Sequence, residues 1–124
     1  MSGTLAGKVA LVTGAGPASG RHRPPLRRRR RRIVVAEIDA AAGQAVARDI
    51  GGVFVGTDVA NRSEVENAVQ TALSEYGSID IVVNNAWGGG KIGRVENKTD
   101  EQLAHGIAVG YYGPYWAMRA AFPT

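Results

Sequence analysis

The residues best suited to chemistry begin at a glycine-rich turn, Gly14-Ala15-Gly16-Pro17-Ala18-Ser19-Gly20, entered directly from the β-prone run Val9 to Thr13. A turn of this kind at the end of a strand suits a phosphate. Glycine lets the backbone bend sharply and approach an anion, and the next helix offers its first N–H groups to that anion. Three further signatures close later apolar runs: Glu37 after Ile33 to Ala36, Asp58-Val59 after Val53 to Thr57, and Asn84-Asn85-Ala86 after Ile79 to Val83. Taken singly each is ordinary, since strand ends carry surface carboxylates and turns favour Asp. Taken in order they describe a dinucleotide lying across the carboxyl ends of parallel strands. A metal-binding domain of similar plan would cluster carboxylates at those ends instead.

The elements that must carry these residues follow from hydrophobic spacing. Val9–Thr13, Ile33–Ala36, Val53–Thr57 and Ile79–Val83 read as four buried strands. Asp39 is placed to cap a helix through Ile50, with Ala42, Val46 and Ile50 on one face and Gly51 beyond its end. Ser63 with Glu66 reads as a capping box, opening a helix that carries Val65, Ala68, Val69, Ala72, Leu73 and Tyr76 inward and stops at Gly77. A glycine-rich loop spans Trp87 to Lys98. Thr99 or Asp100 then caps a last helix, with Leu103 and Ile107 on its inner side and a kink at Pro114 before Phe122. Alternating strands and helices imply an α/β fold: a doubly wound, Rossmann-like parallel sheet with helices on both faces. The 124 residues are expected to form a single, incomplete domain, truncated after the fourth strand and its following helix.

One segment breaks the pattern. From Pro17 to Arg32 the helix that should follow the glycine turn is replaced by proline and arginine, with Leu26 its only aliphatic residue. Pro24 and Pro25 fall inside that helix, where each costs about 3 kcal/mol. Six consecutive arginines cannot all face solvent on a docked helix, and a buried unpaired guanidinium costs several kcal/mol. Arginine codons read one nucleotide off become alanine codons, so two compensating frame slips would turn an apolar helix into this string; the gene's nucleotide sequence decides it. The alternative reading is polyanion binding, to nucleic acid or an anionic surface, through Arg21 to Arg32. No aromatic residue is interleaved to stack bases. Eight of the fifteen basic residues lie here, so the net charge of +4 describes this segment rather than the chain, whose remainder is acidic. Apolar content of 44% is that of a globular protein. The absence of cysteine excludes disulfides and thiolate metal sites. No apolar run is long enough to span a bilayer, and Met1 to Lys8 lacks the core of a signal peptide, so a cytoplasmic location is expected.

Together these residues resemble the short-chain dehydrogenase/reductase family over nearly the whole chain apart from Pro17 to Arg32. Thr13-Gly14-Ala15-Gly16 with Gly20 looks like its TGxxxGxG turn, and Ala18 stands at one of the turn's glycine positions. Glu37 looks like the acidic residue that binds the adenosine ribose, Asp58-Val59 like the pair at the adenine, and Asn84-Asn85-Ala86 like the start of NNAG. The resemblance implies a cofactor site of Gly14, Gly16, Ala18, Gly20, Glu37, Asp58, Val59, Asn85 and Ala86. It implies hydride transfer between a nicotinamide cofactor and a small-molecule alcohol or carbonyl. A carboxylate at Glu37 accepts both ribose hydroxyls and repels a 2′-phosphate, which favours NAD over NADP; Arg21 is placed to oppose that preference. Homo-oligomers are implied for the intact form, with neither membrane nor nucleic acid as partner.

The departures from the family matter as well. Trp87 replaces the glycine of NNAG and is either a packing residue or a substrate-facing wall. Gly110 stands where an asparagine is common. The family's catalytic serine and Tyr-x-x-x-Lys have no match, and Tyr111, Tyr112 and Tyr115 lack a lysine four residues on, so these read as helix-packing residues. No catalytic or metal-binding residue is assigned. The 124-residue chain is expected to be inactive alone and poorly stable, with Trp116 and Phe122 on exposed apolar surface.

Overall fold

Val9–Thr13 forms β1 at the centre of a four-stranded parallel sheet, in a computed structural model that describes residues 5–15, 32–87 and 93–123. The other strands are β2 (Arg32–Glu37), β3 (Val53–Gly56) and β4 (Ile81–Asn84), and the spatial order is β3-β2-β1-β4. Leu11 lies beside Val34 on one side and Val82 on the other. Chain order reverses direction between β1 and β4. The Pro17 to Arg31 part of the arginine-rich segment lies outside the described residues, as do Gly16, Ala18, Gly20 and Arg21.

The helices are α1 (Ala40–Ile50), α2 (Arg62–Tyr76), α3 (Asp100–Ile107) and α4 (Gly113–Ala121), with a short 3₁₀ turn at Val95–Asn97. Side chains alternate across each strand, so one face receives Leu11, Val34 and Ala36, which pack on Ala68, Val69 and Ala72 of α2 and Ala121 of α4. Phe54 points the other way, to α1, where Gly43 lies against its ring. Helices on both faces explain why Val34, Val35 and Ala36 are all fully buried in succession. Leu11, Val9, Val34, Val35, Val65 and Val69 are the largest fully buried side chains, each contributing about 1.5–3 kcal/mol.

Local signals set most boundaries where the sequence places them. Asp39 caps α1, accepting from Ala42 N at 3.1 Å, and Gly51 ends it. Thr99 caps α3 in a reciprocal box with Gln102. The α2 cap differs from expectation. Asn61, not Ser63, is the N-cap, and its side chain accepts from Glu64 N at 3.3 Å. Asn is as good a cap as Ser and comes first, so Arg62 and Ser63 are drawn into the helix. Glu66 pairs instead with Arg62 at 2.8 Å, one turn back. The strand after α2 begins at Ile81 rather than Ile79, because Asp80 is occupied on both sides of Val9. Its N–H donates to Val9 O and its Oδ2 accepts from Val9 N, each at 2.9 Å. β3 ends at Gly56, one residue before Thr57.

The last helix departs further. Between α3 and α4 the chain makes a π turn, Ala108–Tyr112, closed by Gly113 N donating to Ala108 O. Pro114 follows in the first turn of α4. A proline inside a helix forfeits its own N–H bond and collides with the carbonyl four residues back; the extra π residue absorbs both. Leu103 and Ile107 are exposed rather than inward, since among the described elements α3 meets none but the π turn that continues it. Tyr111 is largely exposed and Tyr112 and Tyr115 about half so, which leaves them less packed than expected, whereas Trp116 is half-buried rather than exposed, stacked on Tyr112 at 5.7 Å. Phe122 is exposed as expected. No helix among the described residues is long and apolar enough to cross a membrane.

Candidate functional site

Thr13 is the residue on which the crevice between β1 and β4 is built. Its side chain is buried, and its hydroxyl donates to Val83 O at 3.4 Å while accepting from both Asn85 N and Ala86 N at 3.2 Å. One side chain from β1 thereby serves two backbone donors past β4, of which Asn85 N also donates to Val83 O at 3.1 Å. Asn85 returns the link: its Nδ2 donates to Gly14 O at 2.9 Å. Gly14 N still donates to Ala36 O at 2.9 Å, so Gly14 is where β1 leaves the sheet.

Gly14 has φ +66, and a Cβ there would fall 2.4 Å from Ala86 Cα. Both facts require glycine. They also mean that the start of the turn packs backbone to backbone on the chain just past β4. A glycine in left-handed backbone at the end of a strand, beside the point where strand order reverses, fits the entry to a dinucleotide's phosphate turn.

Glu37 ends β2 at the same edge of the sheet. Its Oε1 accepts from Asp39 N at 3.3 Å, and its backbone oxygen accepts from Thr57 N at 3.0 Å. Gly43 of α1 allows this closeness, since a Cβ there would lie 2.8 Å from Glu37 Cβ and 2.4 Å from the Phe54 ring. Asp58 turns the chain out of β3. Its Oδ1 accepts from Ala60 N at 2.9 Å, and its N–H donates to Glu64 Oε1 at 3.2 Å. Val59 is buried in a cluster with Val65, Val109 and Ala117, on which Ala86 and Trp116 also pack. Gly113 lets α4 approach here, because a Cβ would meet Val59 O at 2.8 Å.

The structure therefore brings Gly14, Glu37, Asp58, Val59, Asn85 and Ala86 to the carboxyl edge of one sheet, while Gly16, Ala18 and Gly20 fall outside the described residues. Gly110 lies exposed in the π turn with open space where a Cβ would be. Sequence reasoning missed the positioning residues Glu64, Gly43 and Gly113, and took Thr13 only as part of a motif. The signal for Gly43 was present: a glycine on the inner face of a helix between Ala42 and Val46. Among the described residues no group of acidic or imidazole side chains could hold a metal, and no buried side-chain polar atom lacks a hydrogen bond.

The short chain dehydrogenase family model matches residues 8–124. A mitochondrial borneol dehydrogenase of Lavandula x intermedia is 42% identical over 83 residues, 66% of this chain and 32% of that protein. An uncharacterized oxidoreductase of Thermotoga maritima is 36% identical over 121 residues, 93% of this chain and 47% of that protein. Among solved structures, a 3-ketoacyl-(acyl-carrier-protein) reductase from Brucella melitensis, complexed with NADH, superposes with a TM-score of 0.81 at 32% identity, covering 97% of this chain and 50% of that one. A metagenomic short-chain oxidoreductase in complex with NADP gives a TM-score of 0.76 at 26% identity, covering 94% of this chain and 56% of that one. The chain thus spans about half the length, or less, of these proteins. The glycine turn, the strand-end residues and the sheet order agree with this match, and the chain belongs to the short-chain dehydrogenase family.

Proposed function

We propose that these 124 residues are the dinucleotide-binding half of a nicotinamide-dependent dehydrogenase or reductase acting on an alcohol or the matching carbonyl. The observation that carries it is the convergence of Gly14, Glu37, Asp58 and Asn85-Ala86 on one edge of a parallel sheet, around the point where strand order reverses. Gly14 backbone would face the pyrophosphate, Glu37 the adenosine ribose, and Asp58-Val59 the adenine. A nicotinamide cofactor supplies the hydride acceptor or donor when bound. The chain's own residues bind and orient it. Thr13 and Asn85 hold the β1 turn against β4 and so set the depth of the crevice.

Glu37 favours NAD over NADP, because a carboxylate accepts two ribose hydroxyls and repels a 2′-phosphate. Within these residues no tyrosine has a lysine four positions on, so no proton-transfer pair is assigned and the 124-residue chain alone is expected to turn nothing over. Leu103, Ile107, Tyr111, Tyr115, Met118 and Phe122 form an exposed apolar stripe from α3 to α4, which supports self-association of the intact form through this helix. The cytoplasm is the expected location.

Titration of NAD into the purified chain, with thermal unfolding followed alongside, tests the reading. A cooperative transition that rises with NAD supports it, and a smaller rise with NADP supports the role of Glu37. A folded chain whose transition ignores both nucleotides would sink it.

A further inference from the structure

Trp87 is 84% exposed, yet it follows a residue held with unusual firmness. Ala86 donates its N–H to Thr13, packs into the cluster around Val59, and has its Cα against Gly14. The sequence leaves Trp87 either a packing residue or the wall of a site; no core formed by the described residues takes it, which favours the second. A tryptophan carries about 150–250 Å² of surface that it buries where it can. Here that surface stands in water beside the crevice.

Its place in the fold says which part of a ligand it meets. The order β3-β2-β1-β4 puts the crevice between β1 and β4. A dinucleotide with its adenosine ribose at Glu37 on β2 and its pyrophosphate over the β1 turn has its nicotinamide half on the β4 side, where Trp87 follows the strand. This step rests on the dinucleotide reading proposed above. We propose that Trp87 stacks on the nicotinamide ring and makes the site prefer the oxidised cofactor. The oxidised ring is a pyridinium, aromatic and positively charged; the reduced ring is neutral. Of the aromatic side chains, indole attracts a cation over its face most strongly. Glycine at this position can supply no such contact.

Calorimetric titration of the wild-type chain, Trp87→Leu and Trp87→Phe with NAD⁺, NADH and ADP-ribose tests this. Leucine keeps apolar area and removes the π face; ADP-ribose lacks the nicotinamide. Trp87→Leu is expected to weaken NAD⁺ by about two- to thirty-fold, the span from an exposed to a desolvated cation–π contact. NADH should weaken less, ADP-ribose should be unchanged, and Trp87→Phe should keep part of the preference. The unfolding midpoint should not move, because the side chain supports no packing. Equal losses for NAD⁺ and NADH, or no loss for either, overturn the role of Trp87 while binding of ADP-ribose leaves the dinucleotide reading standing. A folded wild-type chain that binds none of the three ligands overturns that reading, and the role of Trp87 falls with it.

Discussion

Thr13 shows how one hydroxyl can determine a crevice. It serves as acceptor for two backbone N–H groups beyond β4 and as donor to Val83 O. Thr13→Val keeps the shape and removes the oxygen, so the partly buried Ala86 N–H loses its acceptor while Asn85 N keeps Val83 O. The expected loss is about 1–3 kcal/mol in chemical denaturation, with Thr13→Ser close to wild type. Gly14 is constrained differently. Gly14→Ala places a methyl group in left-handed backbone and against Ala86 Cα, and should cost about 2–4 kcal/mol while abolishing the NAD-induced rise in melting temperature. The candidate site was legible at this scale wherever a residue's meaning lies in its position along the chain. Glu37, Asp58 and Asn85 each follow an apolar run, and the sheet places them together. Thr13 was legible only as part of a motif, because its partners lie more than seventy residues away and no local pattern marks them.

At the scale of elements, close approach matters more than helix propensity. α4 lies against Val59 because Gly113 has no side chain, and a Cβ there would press on Val59 O. Gly113→Val should push α4 from the Asp58-Val59 turn. The expected result is a loss of about 1–3 kcal/mol in stability, accompanied by weaker NAD binding, whereas Gly110→Ala meets open space and should spare both. Calorimetry beside thermal unfolding would separate the two effects. The sequence places the four strands, α1 and α2 close to their observed limits, because an apolar run or a capping residue is a local signal, but it runs α3 and α4 together as one helix across the π turn. It misplaces the α2 cap, where Asn61 and Ser63 are chemically equivalent candidates and the earlier one starts the helix. It also misjudges Leu103 and Ile107. Periodicity identifies the apolar face of a helix but carries no information about whether anything covers it.

At the scale of the whole molecule, the termini of distant elements meet in ways that give stability a pH dependence. Tyr76, the last residue of α2, packs half-buried against the core formed by Leu11, Val34 and Ala121. Burial pushes its phenol above the usual tyrosine range, the Glu75 carboxylate pushes the same way, and Arg32 at the start of β2 opposes them. The folded state therefore holds this proton more tightly than the unfolded chain. The stabilisation is fully present below the ordinary tyrosine pKa of about 10 and is lost as pH rises through the higher folded value. Denaturation midpoints measured from about pH 9 to about pH 11 should fall for wild type and fall less for Tyr76→Phe.

The two tryptophans have a consequence for light. Trp87 stands in water at the end of β4, whereas Trp116 is half-buried and stacked on Tyr112. Emission from the folded chain is then the sum of two dissimilar fluorophores. Iodide, an aqueous quencher, should extinguish the long-wavelength part first and leave a blue-shifted remainder. That remainder belongs to Trp116, on the cluster that joins α4 to Val59 and Ala86, so its drift to the red on heating marks the moment α4 leaves the sheet.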